Sequence, residues 1–172
     1  MSRASAASRR LGLGLVAVVL ALRRAFLEVF GGCRALTIAL SCDGVCVGEA
    51  IDRDYPAYGR CWQLADPATE ARFVWLVRRV LDPLGMHFAL PCAKWGALGG
   101  RNPSDEDWRL ARLTVDGLQW QAVRGALGSF EGPKYHTLRD TSFWTSRFGT
   151  LAAPVFPWSY GELDGCMVGA VA

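Results

Sequence analysis

Lysine is nearly missing from this chain: Lys94 and Lys134 stand against seventeen arginines in 172 residues. Histidine is as scarce, with only His87 and His136, and no two of the six cysteines form a Cys-x-x-Cys pair. That removes the ligand spacing of a structural zinc site, and no metal is expected. Cys42 and Cys46 are four apart, but they fall at a predicted helix end and on the strand after it. The cysteines as a set read as reduced thiols, buried in the apolar segments of an intracellular protein of the nucleus or cytoplasm. The longest apolar run, Leu11–Leu22, has twelve residues. A membrane-spanning helix needs about 20, so a membrane partner is not expected.

Acidic residues are absent from the first 27 positions, which hold Arg3, Arg9, Arg10, Arg23 and Arg24. The net charge of +3 therefore misrepresents the body, where fourteen basic side chains face sixteen acidic ones. Such a body has no strong electrostatic footprint for nucleic acid, and any DNA or RNA contact must come from a local patch. The basic start and apolar run fit the front of a signal peptide. The exit does not, because Arg23-Arg24-Ala25-Phe26 replaces a small-residue cleavage site. Three readings stay open: a disordered leader with an apolar helix packed on the sheet, organelle targeting, and secretion or anchoring. The expected division is residues 1–24 as leader and apolar helix, and 25–172 as one domain.

What is present points to an α/β protein. Hydrophobic residues make up 51% of the chain and charged residues 20%, ordinary for that class. Residues Phe26–Asp52 say most. An apolar run breaks at Gly31-Gly32, a helix-like stretch follows over Arg34–Cys42, and a second apolar run ends on Asp52. A carboxylate about 20 residues beyond a glycine bend suits a nucleoside whose ribose is held at the carboxyl ends of two parallel strands. A βαβ unit with no ligand would look similar.

Farther along, Asp66-Pro67 opens a predicted helix to Leu81, with Ala71, Val74, Trp75, Val77 and Leu81 inward. Gly85–Leu90 is a buried strand leading to Pro91-Cys92. A helix from about Ser104 to Gly125 carries Trp108, Leu110, Leu113, Val115, Leu118 and Val123, and a strand over Ala126–Phe130 ends at Glu131. From Tyr135 to Tyr160 turns and aromatics dominate, and a short segment from Leu163 closes the chain. The alternation predicts a doubly wound, mostly parallel sheet, with a C-terminal part that need not be complete. Its ligand site lies outside the strand carboxyl ends, where Gly31-Gly32, Asp52, Asp66, Pro91-Cys92 and Glu131 converge.

These strand ends resemble those of the S-adenosylmethionine-dependent DNA cytosine-5 methyltransferases, which have the Rossmann-like class I methyltransferase fold. FLEVFGGCRALTIAL stands where that family has a strand, Phe-x-Gly-x-Gly and a helix; Phe30 and Gly32 match, and Arg34 replaces the next glycine. Asp52 falls where the family's acid binds the cofactor ribose, and Asp66 where another acid contacts the adenine. LPCAKWGALGG is similar to the nucleophile loop Pro-Cys-Gln-x-Phe-Ser-x-x-Gly: Pro91, Cys92 and Gly99 match, Trp95 replaces an aromatic, and Ala93 replaces Gln. SFEGPKY keeps Glu131 of Glu-Asn-Val. The family's target-recognition domain and last motifs have no counterpart. The resemblance implies S-adenosylmethionine held by Phe30, Gly31, Gly32, Asp52 and Asp66, with Cys92 and Glu131 catalytic and a nucleic acid, DNA first, as substrate.

The chemistry needs those groups. Carbon 5 of cytosine is a poor nucleophile until a thiolate adds at carbon 6, and a Glu near N3 can supply the proton that stabilises the adduct. The base must leave the stack to reach such a pocket. Lys94 could lower the Cys92 pKa or meet a phosphate, and Lys134 could meet another. Each residue has a plainer reading. Cys92 could be a small buried hydrophobe, Glu131 a turn residue, Asp66 an ordinary helix start and His87 a satisfied core histidine. Phe143, Trp144, Phe148, Phe156 and Trp158 could form core, a lid or a stacking platform for a base. Two rival functions remain: a catalytically inactive methyltransferase-fold module that binds partners, and a nicotinamide-dependent reductase. The missing full Gly-x-Gly-x-x-Gly pattern ranks the reductase last.

Overall fold

The structure, a computed structural model, describes residues 26–91, 95, 103–133, 138, 141–148, 158–163 and 166–171. Strand β1 (Phe26–Val29) buries Leu27 and Val29 on one face and turns Glu28 to the other. Helix α1 (Ala35–Cys42) returns over that second face, where the Glu28 carboxylate accepts the backbone N–H of Thr37 at 2.8 Å. The second apolar run is not a regular strand. It meets β1 through parallel bridges at Val47 and Ile51 alone, because the Glu49 N–H is drawn to the Tyr58 hydroxyl at 3.0 Å instead of extending the ladder.

Asp66 caps helix α2 (Pro67–Leu76) by accepting the Thr69 N–H at 2.8 Å, with Pro67 in the first turn. A single π-helical turn, Val77–Leu81, extends it and closes on Asp82, whose left-handed backbone is held by an ion pair with Arg124 at 2.6 Å. The inward face is Phe73, Val77 and Leu81, four residues apart, and Trp75 is 61% exposed rather than core. Strand β2 (Gly85–Ala89) lies parallel to β1.

Helix α3 (Asp105–Val123) starts from a reciprocal capping box between Ser104 and Asp107. It buries Leu113, Val115 and Leu118, while Val123 is 74% exposed. Its 19 residues run for about 28 Å, past the end of the short strands beneath. Strand β3 (Leu127–Pro133) pairs parallel with β2. Helix α4 (Ser142–Phe148) and strands β4 (Trp158–Leu163) and β5 (Cys166–Val171) occupy the part read as turns and aromatics.

The sheet order is β1-β2-β3-β5-β4. Three strands run parallel, and β5 is antiparallel to both its neighbours. The chemistry of that departure is local: only Asp164-Gly165 separates β4 from β5, and a two-residue link permits an antiparallel hairpin and nothing else. The protein is thus α/β with a small, open sheet. α2, α3 and α4 pack on the face bearing Met86, Phe88 and Phe130: the Trp144 ring of α4 lies 5.1 Å from Phe130, and Met86 shares a small cavity with Phe73, Val77 and Leu113. Trp144 and Phe148 are core, with Phe143 packed against them.

Phe88 shows how tightly this face is filled. Its ring tip lies 2.3 Å from where a Cβ on Gly117 of α3 would sit, and Phe88 is fully buried. Any side chain at 117 improves helix propensity by at most about 1 kcal/mol, while overpacking costs about 1–3 kcal/mol. We expect Gly117→Val to lower stability by about 2 kcal/mol, read from urea denaturation midpoints; an unchanged midpoint would contradict this packing.

Candidate functional site

The chain leaves β1 through a strained bend. Phe30 (φ 62°), Gly32 (φ 47°) and Arg34 (φ 61°) all take left-handed backbone, a conformation that costs non-glycine residues roughly 1–2 kcal/mol. Arg34, which stands where the resembled family has glycine, keeps the backbone conformation glycine adopts most easily, and its guanidinium stacks 4.8 Å from the Tyr55 ring.

Asp52 holds the bend. Its carboxylate accepts the Gly32 N–H on one oxygen and the Asp54 N–H on the other, both at 2.9 Å. The backbone bond from Phe30 N–H to the Ile51 carbonyl, 2.8 Å, fixes the approach. Each carboxylate oxygen keeps a further acceptor position.

A cavity of about 390 Å³ opens at this point, within the roughly 300–1,000 Å³ typical of small-molecule sites. Phe30, Gly32 and Asp52 line it together with Ala89 and Pro91 from the end of β2. Trp62, Leu64 and Leu110 give it apolar walls. Its charged rim is Asp52, Asp54, Glu106 and Asp107 against Arg53 alone. The three acids that open α3 also offset the positive end of that helix. A larger groove, about 580 Å³, lies away from the strand ends; its Arg109 and Glu70 already pair with each other at 3.2 Å.

The predicted residues divide. Phe30, Gly32 and Asp52 meet at the cavity. Gly31 is buried under the bend, its N–H on the Ile51 carbonyl at 3.4 Å. Asp66 is exposed and serves as the α2 cap; the Thr69 N–H that it accepts holds its carboxyl below the usual carboxylate range. Its neighbours Leu64 and Ala65 line the cavity. Glu131 is half exposed, beside Ala89 in register, and does not line the cavity. Cys92, Lys94 and Lys134 lie outside the described residues, as do the side chains of Phe156 and Trp158. The cysteines are corrected: Cys33, Cys42, Cys46 and Cys61 are free of disulfides but exposed, because α1 buries none of its residues and Cys46 sits on the irregular edge.

Sequence reasoning missed Glu28, 4% exposed in mid-strand; its signal was one acid inside an apolar run. It begins a polar row, since register aligns Glu28 with His87 and His87 with Ser129. His87 Nδ1 is 2.9 Å from Ser129 Oγ, so His87 is a satisfied interior histidine. Burial pushes its pKa below the ordinary 6.5, against the opposing pull of Glu28. The Glu131 carboxylate, 3.7 Å from Nε2, is beyond hydrogen-bond length and forms an ion pair only if the ring is charged.

Among the described residues no three His, Cys, Asp or Glu side chains are placed to hold a metal ion, and no helix is long and apolar enough to cross a membrane. No protein-family model and no curated protein matches the chain.

Two outcomes follow. Asp52→Ala orphans the N–H groups of Gly32 and Asp54 and is expected to cost about 2 kcal/mol in urea denaturation; a loss near zero would mean water replaces the carboxylate. Because His87 is depressed in the folded state, the unfolded chain takes up the proton first as pH falls through 6.5. Its contribution is therefore present above that value and lost below it. Stability should fall between about pH 7.5 and about pH 5.5, and His87→Gln should flatten that slope.

Proposed function

We propose that the chain is a class I S-adenosylmethionine-binding domain that methylates a nucleobase, cytosine C5 in DNA by preference. The observation that carries this reading is Asp52, set across the glycine bend at the mouth of an acid-rimmed cavity. The residues fit the cofactor. Asp52 retains acceptor positions for a ribose diol, and Trp62, Leu64 and Leu110 offer apolar walls to a purine. Four carboxylates and one guanidinium at the rim favour a ligand bearing positive charge. A nicotinamide dinucleotide would instead bring an anionic pyrophosphate to the same carboxylates. The sheet adds support: an antiparallel last strand between β3 and β4 is the arrangement of class I methyltransferases, whereas nucleotide-binding sheets of the dehydrogenases are parallel there.

When bound, the cofactor supplies a methyl group on a positively charged sulfur. The chain's own groups prepare the acceptor. Pro91 lines the cavity and leads directly into Cys92, whose thiolate adds to carbon 6 of an extruded base. Glu131, one strand over, supplies the proton at N3. Lys94 and Lys134 meet backbone phosphates. A second reading, a cofactor-binding module without catalysis, is favoured by Arg34, whose side chain stands where the family has bare glycine backbone.

Calorimetry with S-adenosylmethionine and with NAD separates the ligands. The reading expects saturable binding of the former only, weakened at least about tenfold, or 1.4 kcal/mol, by Asp52→Asn. DNA containing 5-fluorocytosine should then trap a covalent adduct that Cys92→Ser abolishes. Binding without an adduct would leave the inactive module, and no binding of the cofactor would remove both.

A further inference from the structure

The two faces of the sheet are unequally covered. α2, α3 and α4 stack on the face of Met86, Phe88 and Phe130. Among the described residues the opposite face has α1 alone, eight residues or about 12 Å long. α1 carries no charged side chain and buries none of its residues, and its Ile38 is 58% exposed. Leu127, on the same face as Ser129 two positions on, is 42% exposed at the start of β3. An uncharged helix with nothing buried, beside an open apolar strand position, is an incomplete layer.

We propose that residues Leu11–Leu22 of the same chain complete this layer by packing over α1 and the starts of β2 and β3. Connectivity argues for it. Only Arg23, Arg24 and Ala25 separate Leu22 from Phe26, and the Phe26 N–H donates to the Cys46 carbonyl just beyond the end of α1, at 3.1 Å. The linking residues span at most about 14 Å, so Leu22 is tethered beside the bare face. Twelve residues make a helix of about 18 Å, long enough to cross three strands, which lie about 4.8 Å apart. The segment is apolar on every side, the pattern of a buried helix. The short tether gives it an effective concentration near the millimolar range, ahead of any second copy in dilute solution. The proposal does not depend on the cofactor reading.

The test uses the full chain. Leu13→Cys, Ala17→Cys and Leu20→Cys, made singly, place a thiol in a segment that has none, and Cys42 at the end of α1 is exposed and free. Oxidation of dilute protein should give at least one disulfide to Cys42 within a single chain, absent in the same variant carrying Cys42→Ser. Links to Cys42 only between chains would assign the face to a second copy and overturn the proposal, as would no link from any of the three positions. Hydrogen exchange on the unmodified chain needs no variant. Amides of residues 11–22 should exchange at least about tenfold slower than in an unfolded peptide. Exchange at the unfolded rate, or protection only when phosphatidylserine-containing vesicles are added, would overturn it as well.

Discussion

One carboxylate ties the strand ends together. Asp52 accepts the Gly32 N–H across 20 residues of sequence and the Asp54 N–H two residues on, so the glycine bend, the end of the irregular edge and the cavity mouth share an anchor. Around it Phe30 and Arg34 hold left-handed backbone, strain of roughly 1–3 kcal/mol each that persists only when neighbouring contacts over-determine it. The same carboxylate can do structural and binding work because two backbone donors leave half of its acceptor capacity free.

The cavity's charge follows from how α3 begins. A helix start favours acids, and Asp105, Glu106 and Asp107 supply them; two of these then face the cavity beside Asp52 and Asp54. Capping and ligand preference thus come from the same residues. The packed face, where Phe88 meets Gly117 and Phe130 meets Trp144, carries most apolar burial. The other face holds the Glu28–His87–Ser129 row. In a parallel sheet such polar side chains survive burial only when hydrogen-bonded, as Glu28 is to Thr37 and His87 to Ser129.

Much of this was readable in the residues. Gly31-Gly32 and Asp52 stood at a spacing with a mechanical meaning, and the structure brings Gly32 and Asp52 into contact. Asp66-Pro67 and Ser104–Asp107 announced helix starts by capping chemistry that needs no tertiary context. Trp75 misled because periodicity alone does not choose between adjacent faces; the π turn after Leu76 and the burial of Phe73 decide it. The antiparallel end of the sheet was signalled by Asp164-Gly165, a hairpin dipeptide outweighed by the earlier β-α alternation. The irregular edge strand depended on the Tyr58 hydroxyl capturing the Glu49 N–H, a long-range contact invisible to local pattern.

Amide chemical-shift mapping with S-adenosylmethionine tests the central idea, a nucleoside held at Asp52, most directly. The account predicts saturable shifts that begin at Gly32 and Asp54, the two donors to the carboxylate, and extend to Leu64 and Ala65 on the cavity wall. Shifts confined to the Arg109–Glu70 groove, or none at millimolar ligand, would contradict it.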